Sequence, residues 1–311
     1  MEIDSRNTRR LIRKRQSRER LLDRVVRRWA WVDPVAEVTQ KGVGAFYGAL
    51  GAPGRVLKNL MHGTTLLGHP LHPALTDVPI GAWTVGVLAD WLYVTTGSVP
   101  AVAGDLALAI GLAAAILAAL AGLTDHHDTD GFERRTATVH GLTMVSVVII
   151  DAVSGIMRRT PELRLSAIVL ASMAYLLALL GAYIGGHLTF GSGTGINHNA
   201  FADGPADYVK VGRRDDFPEG EMRRVMADGL PVVIVRREGL LQAMGAVCAH
   251  AGGPLEEGKL EGDVVTCPWH SSRFRFSDGK VVGGPATFDQ PSLFVRERAG
   301  IVEVKLAHPI Q

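Results

Sequence analysis

The residues able to carry chemistry are few, and they cluster late in the chain. The two cysteines are Cys248 and Cys267, and each is followed within a few residues by a histidine, His250 and His270. Sixteen residues separate His250 from Cys267. Two soft thiolates and two imidazoles on loops are a donor set for a transition metal. Two cysteines also exclude a disulfide framework. Zinc held by two Cys and two His usually has the cysteines first and the histidines later, often on a helix. Here the order is Cys-His, Cys-His. Interleaved pairs from two loops suit an iron–sulfur centre with two His on one iron and two Cys on the other.

The elements that must position these donors are short and β-rich. Runs at 208–211, 232–235, 240–247, 264–267, 274–276, 293–296 and 301–304 are separated by turn residues such as Ser277-Asp278-Gly279-Lys280. The expectation is a small antiparallel β domain over 206–311. Gly191-Ser192-Gly193-Thr194-Gly195 reads as a flexible linker within 190–205.

Ahead of the linker the composition changes. No Lys or Arg occurs among the 75 residues from Asn59 to Glu133, and Leu165 to Val209 is a second such stretch. Apolar segments at about 74–94, 100–123, 136–157 and 165–188 are each long enough to cross a bilayer. The fold class is therefore multidomain: an all-α four-helix transmembrane bundle (61–189) followed by a small all-β domain. A basic arm, 1–60, comes first. Its first 32 residues hold eleven cations against four carboxylates. Leu11, Leu22, Val25, Trp29 and Val32 are spaced as on an amphipathic helix that could lie on an anionic leaflet, the alternative being a partly disordered, solvated arm. Four spans place both ends of the bundle on one face, and the charge of the arm assigns that face to the cytoplasm. No apolar leader core is present, so no cleaved signal is expected. The partner implied is a cell membrane crossed several times, with no nucleic acid.

The two Cys-His boxes read Cys248-Ala-His250-Ala-Gly252-Gly-Pro-Leu255 and Cys267-Pro-Trp-His270-Ser-Ser-Arg-Phe274. This pattern resembles the C-x-H-x-G-x-x-L and C-P-x-H boxes of Rieske 2Fe–2S domains, over about a third of the chain. The resemblance implies a Rieske-type fold with a 2Fe–2S cluster. Cys248 and Cys267 would hold the inner iron, and His250 and His270 the outer iron near the surface. It further implies a surround of Gly252, Leu255, Ser272 and Phe274, with a covering loop at Gly283-Gly284-Pro285. Two positions depart from the pattern. Ser271 stands where the family usually has Gly, and Phe274 where high-potential members have Tyr; their extra disulfide pair is absent. Fewer donors to the cluster should lower its potential. The membrane part, with His69-Pro-Leu-His72-Pro and Asp77-Val-Pro-Ile-Gly, resembles an uncharacterised family of four-span bacterial membrane proteins, which implies topology and no activity.

Within the bundle, His69, His72, His126, His127, His140 and His187 gather at the end that carries the β domain. His140 and His187 fall at similar depth on adjacent spans. They could ligate haem b, frame a quinone site, or simply hydrogen-bond between helices. At the other end Asp90, Asp105 and Asp151 could pair with Arg158 or Arg164, line a proton or ion path, or face headgroups. Among functions, a terminal oxygenase needs a mononuclear iron domain, and only 41 residues, with His308 the single histidine, follow His270. The reading is a membrane-anchored one-electron carrier serving a redox partner, a component of an oxidoreductase system rather than a self-contained enzyme. The alternative is a redox sensor whose cluster reports rather than delivers electrons.

Overall fold

The computed structural model describes residues 20–64 and 67–307. The start of the basic arm, including Leu11, lies outside the described residues, as does His308. The arm forms three helices, α1 (Leu21–Arg28), α2 (Val32–Ala49) and α3 (Gly51–His62). The described part of the arm packs some of its apolar side chains on protein, while Leu21 and Trp31 stay exposed. Val26 and Val32 are fully buried, and Leu22 sits with Val32, Val139 and Ile184 against the end of the bundle. Arg135 fixes the arm by a two-pronged ion pair to Asp33 (2.9 and 2.6 Å) and by donating to the Arg27 carbonyl. One edge of a guanidinium matched to one carboxylate is the strong form of such a pair.

Four long apolar helices follow: α4 (Leu71–Thr96), α5 (Ala101–His127), α6 (Gly131–Met157) and α7 (Arg164–His187). Each is long and apolar enough to cross a membrane. α4 packs along α5 and α6 along α7, with Trp83, Leu108, Ala115, Val147, Ala174 and Ala178 forming the shared core. Alanines and glycines at the contacts let the backbones approach, the usual basis of packing in lipid. The helices run further than the apolar segments. α5 continues through Thr124-Asp125-His126-His127, and the connection expected over 124–135 shrinks to residues 128–130. Hydropathy stops where lipid stops, but helical hydrogen bonding continues until a cap ends it.

At the end away from the β domain, Arg158 is buried among three helices. It forms a two-pronged pair with Asp90 and lies 3.0 Å from Asp105, which also receives Arg164 at 2.7 Å. Asp90 and Asp151 are 1% and 2% exposed, so they face the bundle interior and not headgroups. Removing one partner from such a buried pair typically costs about 3–5 kcal/mol, because the other charge is left without compensation. This network fastens α4, α5 and α6 together.

The β domain holds two antiparallel sheets, one of six strands ordered β1-β10-β9-β4-β3-β2 and one of four ordered β5-β6-β7-β8. The first comprises β1 (Val209–Arg213), β2 (Met222–Ala227), β3 (Leu230–Arg237), β4 (Leu240–Gly245), β9 (Ser292–Arg298) and β10 (Ile301–Leu306); the second comprises β5 (Lys259–Glu261), β6 (Val264–Thr266), β7 (Arg273–Arg275) and β8 (Val281–Gly283). β2, β5 and β8 escape the sequence reading. β2 (MRRVMA) is a polar partner strand, and the other two are three residues long, too short to show a period. The core between the sheets joins Val233, Met244, Leu255, Val265, Phe274 and Phe276 with both cysteines. The linker is hydrogen-bonded along its length. Thr194 donates to Glu133 of α6 (2.5 Å), the His198 amide to the Ala249 carbonyl (3.0 Å), and Asn199 to the Val247 carbonyl (2.9 Å).

Candidate metal centre

The two ligand boxes are built alike. The first is the loop after β4, and the second is the turn between β6 and β7. In the first, Cys248 N–H donates to Gly253 O (2.9 Å) and Gly252 N–H to Cys248 O (2.9 Å). In the second, Cys267 N–H donates to Ser272 O (2.8 Å) and Ser271 N–H to Cys267 O (3.2 Å). Gly252 and Ser271 therefore hold equivalent places, four residues after their cysteines, and both have positive φ, +78° and +61°. Ser271 keeps the same turn as Gly252. It does so with a side chain in the left-handed region, which costs on the order of 1 kcal/mol relative to glycine.

Both cysteines are free and buried. The Cys267 thiol is held well below the usual range, first by a hydrogen bond from Cys248 and then by the amides of Trp269 and His270. That same bond, with burial, pushes Cys248 up. The two sulfurs thus lie within hydrogen-bonding reach of each other, and it is as thiolates that cysteines bind metal. The His250 and His270 rings stand 5.1 Å apart at 83°. Burial, and then the neighbouring His270, lower His250 to about 4, so it is neutral at physiological pH. Nδ1 of His250 and Nδ1 of His270 are buried without a hydrogen-bond partner, while Nε2 of His270 lies 3.3 Å from Asp130 Oδ2. Room is kept beside the sulfur: a Cβ on Gly253 would stand 2.9 Å from Cys267 Sγ. Two orphaned imidazole nitrogens, two neighbouring thiols and this clearance fit a two-iron cluster with mixed ligands.

Gly284 lies directly against the second box, and Pro285 after it is buried. Gly284 has φ +83°, and a Cβ there would lie 2.6 Å from Ser271 O, so only glycine fits. Ser272, fully buried, accepts the Ala286 amide through Oγ (3.1 Å) and ties this loop to the second box. Phe274 and Leu255 are fully buried beside the cysteines.

The tip faces the bundle. A cavity of about 380 Å³ separates His250, His270 and Trp269 from Asp130, Glu133 and Thr194. Next to it, and not anticipated from sequence, His62 is fully enclosed between Asp125 (2.8 Å) and Asp128 (3.0 Å), with Lys58 also on Asp128. Burial alone would lower the His62 pKa, but hydrogen bonds to the two carboxylates outweigh it and raise it. A folded-state pKa above the unfolded value of about 6.5 gives stability that is complete below that value and lost as pH rises through the folded pKa. Thermal midpoints measured across this window should fall with rising pH, and His62→Gln should flatten the slope. An unchanged slope would rule out the pair as its source.

The structure separates the two histidines paired by depth. His140 donates through Nδ1 to the Gly181 carbonyl (2.9 Å) and its ring stands against His72 (6.1 Å, 76°). His187 spends both nitrogens on the arm: Nε2 on Asp23 (2.8 Å) and Nδ1 on Arg20 (3.3 Å). His187 has no nitrogen left for an axial bond, and nothing in the arrangement supports haem b. His126 reaches Thr138, and His127 the Gln40 carbonyl.

A helical membrane bundle joined to a two-sheet domain with two Cys-His loops at its tip defines a membrane-anchored iron–sulfur protein. Residues 207–294 match the Rieske [2Fe-2S] domain family, and residues 68–198 match a family described as a predicted membrane protein (DUF2231). The ferredoxin component of the naphthalene 1,2-dioxygenase/salicylate 5-hydroxylase systems of Ralstonia sp is 35% identical over 83 residues, 27% of this chain and 80% of that protein. Human apoptosis-inducing factor 3 is 37% identical over 70 residues, 22% of this chain, and the chain spans only 12% of that protein's length. A solved complex of reduced oxygenase and oxidized ferredoxin in carbazole 1,9a-dioxygenase is 31% identical, covering 32% of this chain and 94% of that one, with a TM-score of 0.31. The chain belongs to the Rieske [2Fe-2S] family and carries a DUF2231-type membrane domain ahead of the cluster domain. It is an iron–sulfur electron carrier anchored in a membrane.

Proposed function

We propose that Cys248 and Cys267 through sulfur, and His250 and His270 through Nδ1, hold the 2Fe–2S cluster, and that the chain passes single electrons between membrane-bound and cytoplasmic redox partners. The observation that carries the ligand set is the pair of buried imidazole nitrogens without partners, on the same loops as two free, buried thiols. The bound cluster supplies one-electron chemistry at a potential set by its surroundings. The chain's own groups do the rest. Backbone amides at 250–251 and 269–270 point at the sulfurs, Asp130 orients His270 from its outer edge, and the two-sheet core keeps water from the inner ligands. Ligating histidines commonly have their second nitrogen fixed in this way. The similarity to a dioxygenase ferredoxin component supports delivery of electrons to another protein, and the bundle confines that delivery to a membrane surface, raising the effective concentration of partners there.

The test is a visible and EPR spectrum of the detergent-purified full chain before and after reduction. A reduced two-iron signal with histidine nitrogen coupling is the expected result; a metal-free or zinc-only protein would overturn the reading. The basic arm and the even number of spans support a cytoplasmic cluster domain. A reporter fused at Gln311 and active only outside the membrane would reverse that orientation.

A further inference from the structure

We infer that Asn59 and Thr64, at the end of α3, are positioning residues for the loop that covers the cluster, so that docking of the β domain on the bundle tunes the cluster. The inference rests on the ligand set proposed above. Three hydrogen bonds join segments more than two hundred residues apart. Thr64 Oγ1 shares its one proton between the Gly284 carbonyl (3.1 Å) and the Ala286 carbonyl (3.0 Å), and the Gly284 amide donates to Asn59 Oδ1 (3.2 Å). Thr64 is 7% exposed, so water does not stand in for these contacts. Its place follows from local structure: Gly63 ends α3 in the left-handed conformation (φ +87°), and the chain turns there. A Cβ on Gly283 would stand 3.4 Å from the Asn59 amide nitrogen, so the loop rests directly on Asn59.

The covering loop is in turn continuous with the second ligand box. The Ala286 amide bonds Ser272 Oγ, and Ser272 O receives the Cys267 amide. Thr64 is thus two hydrogen-bonded steps from the turn that aims the Cys267 sulfur. Coupling carried by a contiguous set of buried bonds is the kind that local substitution exposes. Reduction adds one negative charge to the cluster, and a dry cover opposes that charge. Releasing the cover admits water and favours the reduced form.

The experiment uses the full chain in detergent, comparing wild type with Thr64→Val, Asn59→Ala/Thr64→Val and Thr64→Ser. In the double variant the midpoint potential should rise by about a tenfold change in the reduction equilibrium, about 59 mV for one electron. Thr64→Ser keeps the donor and should restore the wild-type midpoint. Amide hydrogen exchange over 283–286 should speed up in the valine variants and not in the serine variant. An unchanged midpoint in double variants that hold a full cluster would overturn the inference and leave the ligand set standing. A wild-type chain without a cluster would overturn the ligand set instead, while unaltered exchange at 283–286 would by itself refute the clamp.

Discussion

Replacing Cys267 with alanine is expected to abolish the cluster, with iron content and visible absorbance falling to background and the chain still inserted in the membrane. The reason lies in coordination arithmetic. Each iron of a two-iron cluster shares two sulfides and needs two bonds from protein, and a methyl group supplies none. Cys248 cannot serve both sites, because its loop is closed by its own pair of hydrogen bonds to Gly252 and Gly253. The bundle has a separate core of Trp83, Leu108, Val147 and Ala178, and the arm is fastened by Arg135, so membrane insertion does not depend on the tip. Cys248→Ala, His250→Ala and His270→Ala should behave alike. A full spectrum in Cys267→Ala would refute the ligand assignment.

A midpoint potential in the lower part of the Rieske range is the second expected result, with a rise on Phe274→Tyr. Rieske centres span roughly −150 to +300 mV, and hydrogen bonds to sulfur move them upward. Phe274 is fully buried in the same core as both cysteines and offers no donor, and with only two cysteines in the chain no disulfide braces the loops. A hydroxyl that favours the reduced cluster by about 1–1.5 kcal/mol corresponds to about 40–65 mV for a one-electron couple. Redox titration of wild type and variant measures both quantities. A wild-type midpoint above about +200 mV, near the top of the known range, would contradict the argument from Phe274. A tyrosine variant that loses stability with no change in midpoint would show the hydroxyl stranded in the core away from sulfur, a penalty of about 1–3 kcal/mol.

The membrane domain also explains itself in part through charge. Arg158 and its aspartates lock one end of the bundle, and His62 with Asp125 and Asp128 locks the other, beside the cluster. The first is buried between helices, where an unpaired charge is expensive. The second stands at the interface with the β domain, where its charge state can follow pH.

Local features of this protein were legible in its sequence: four spans from continuous apolar length, a small antiparallel β domain from strand and turn runs, and the Rieske family from its Cys-x-His and Cys-Pro-x-His boxes, whereas the division of that domain into two sheets was not. These depend on residues within one loop or one helix, so a one-dimensional pattern holds the information. The pairing of Arg158 and Arg164 with Asp90 and Asp105 was one of the sequence readings beside carboxylates that face headgroups, and only the structure chose between them. Tertiary structure alone decided which histidines meet. Counting residues from the turn near Pro161 gives depth along a helix but not rotation about it, and spans apolar on every side carry no pattern that fixes rotation. Hence His140 turns to His72, and His187 turns to Asp23 on the arm. The arm's docking on the bundle was hidden for the same kind of reason, since Leu22, Val26 and Val32 read equally well as a face for lipid. The contact of Asn59 and Thr64 with Gly284 and Ala286 was beyond sequence altogether. It joins a helix end to a loop across the whole membrane domain, and only the closing of the two domains on each other brings a lone hydroxyl to two carbonyls.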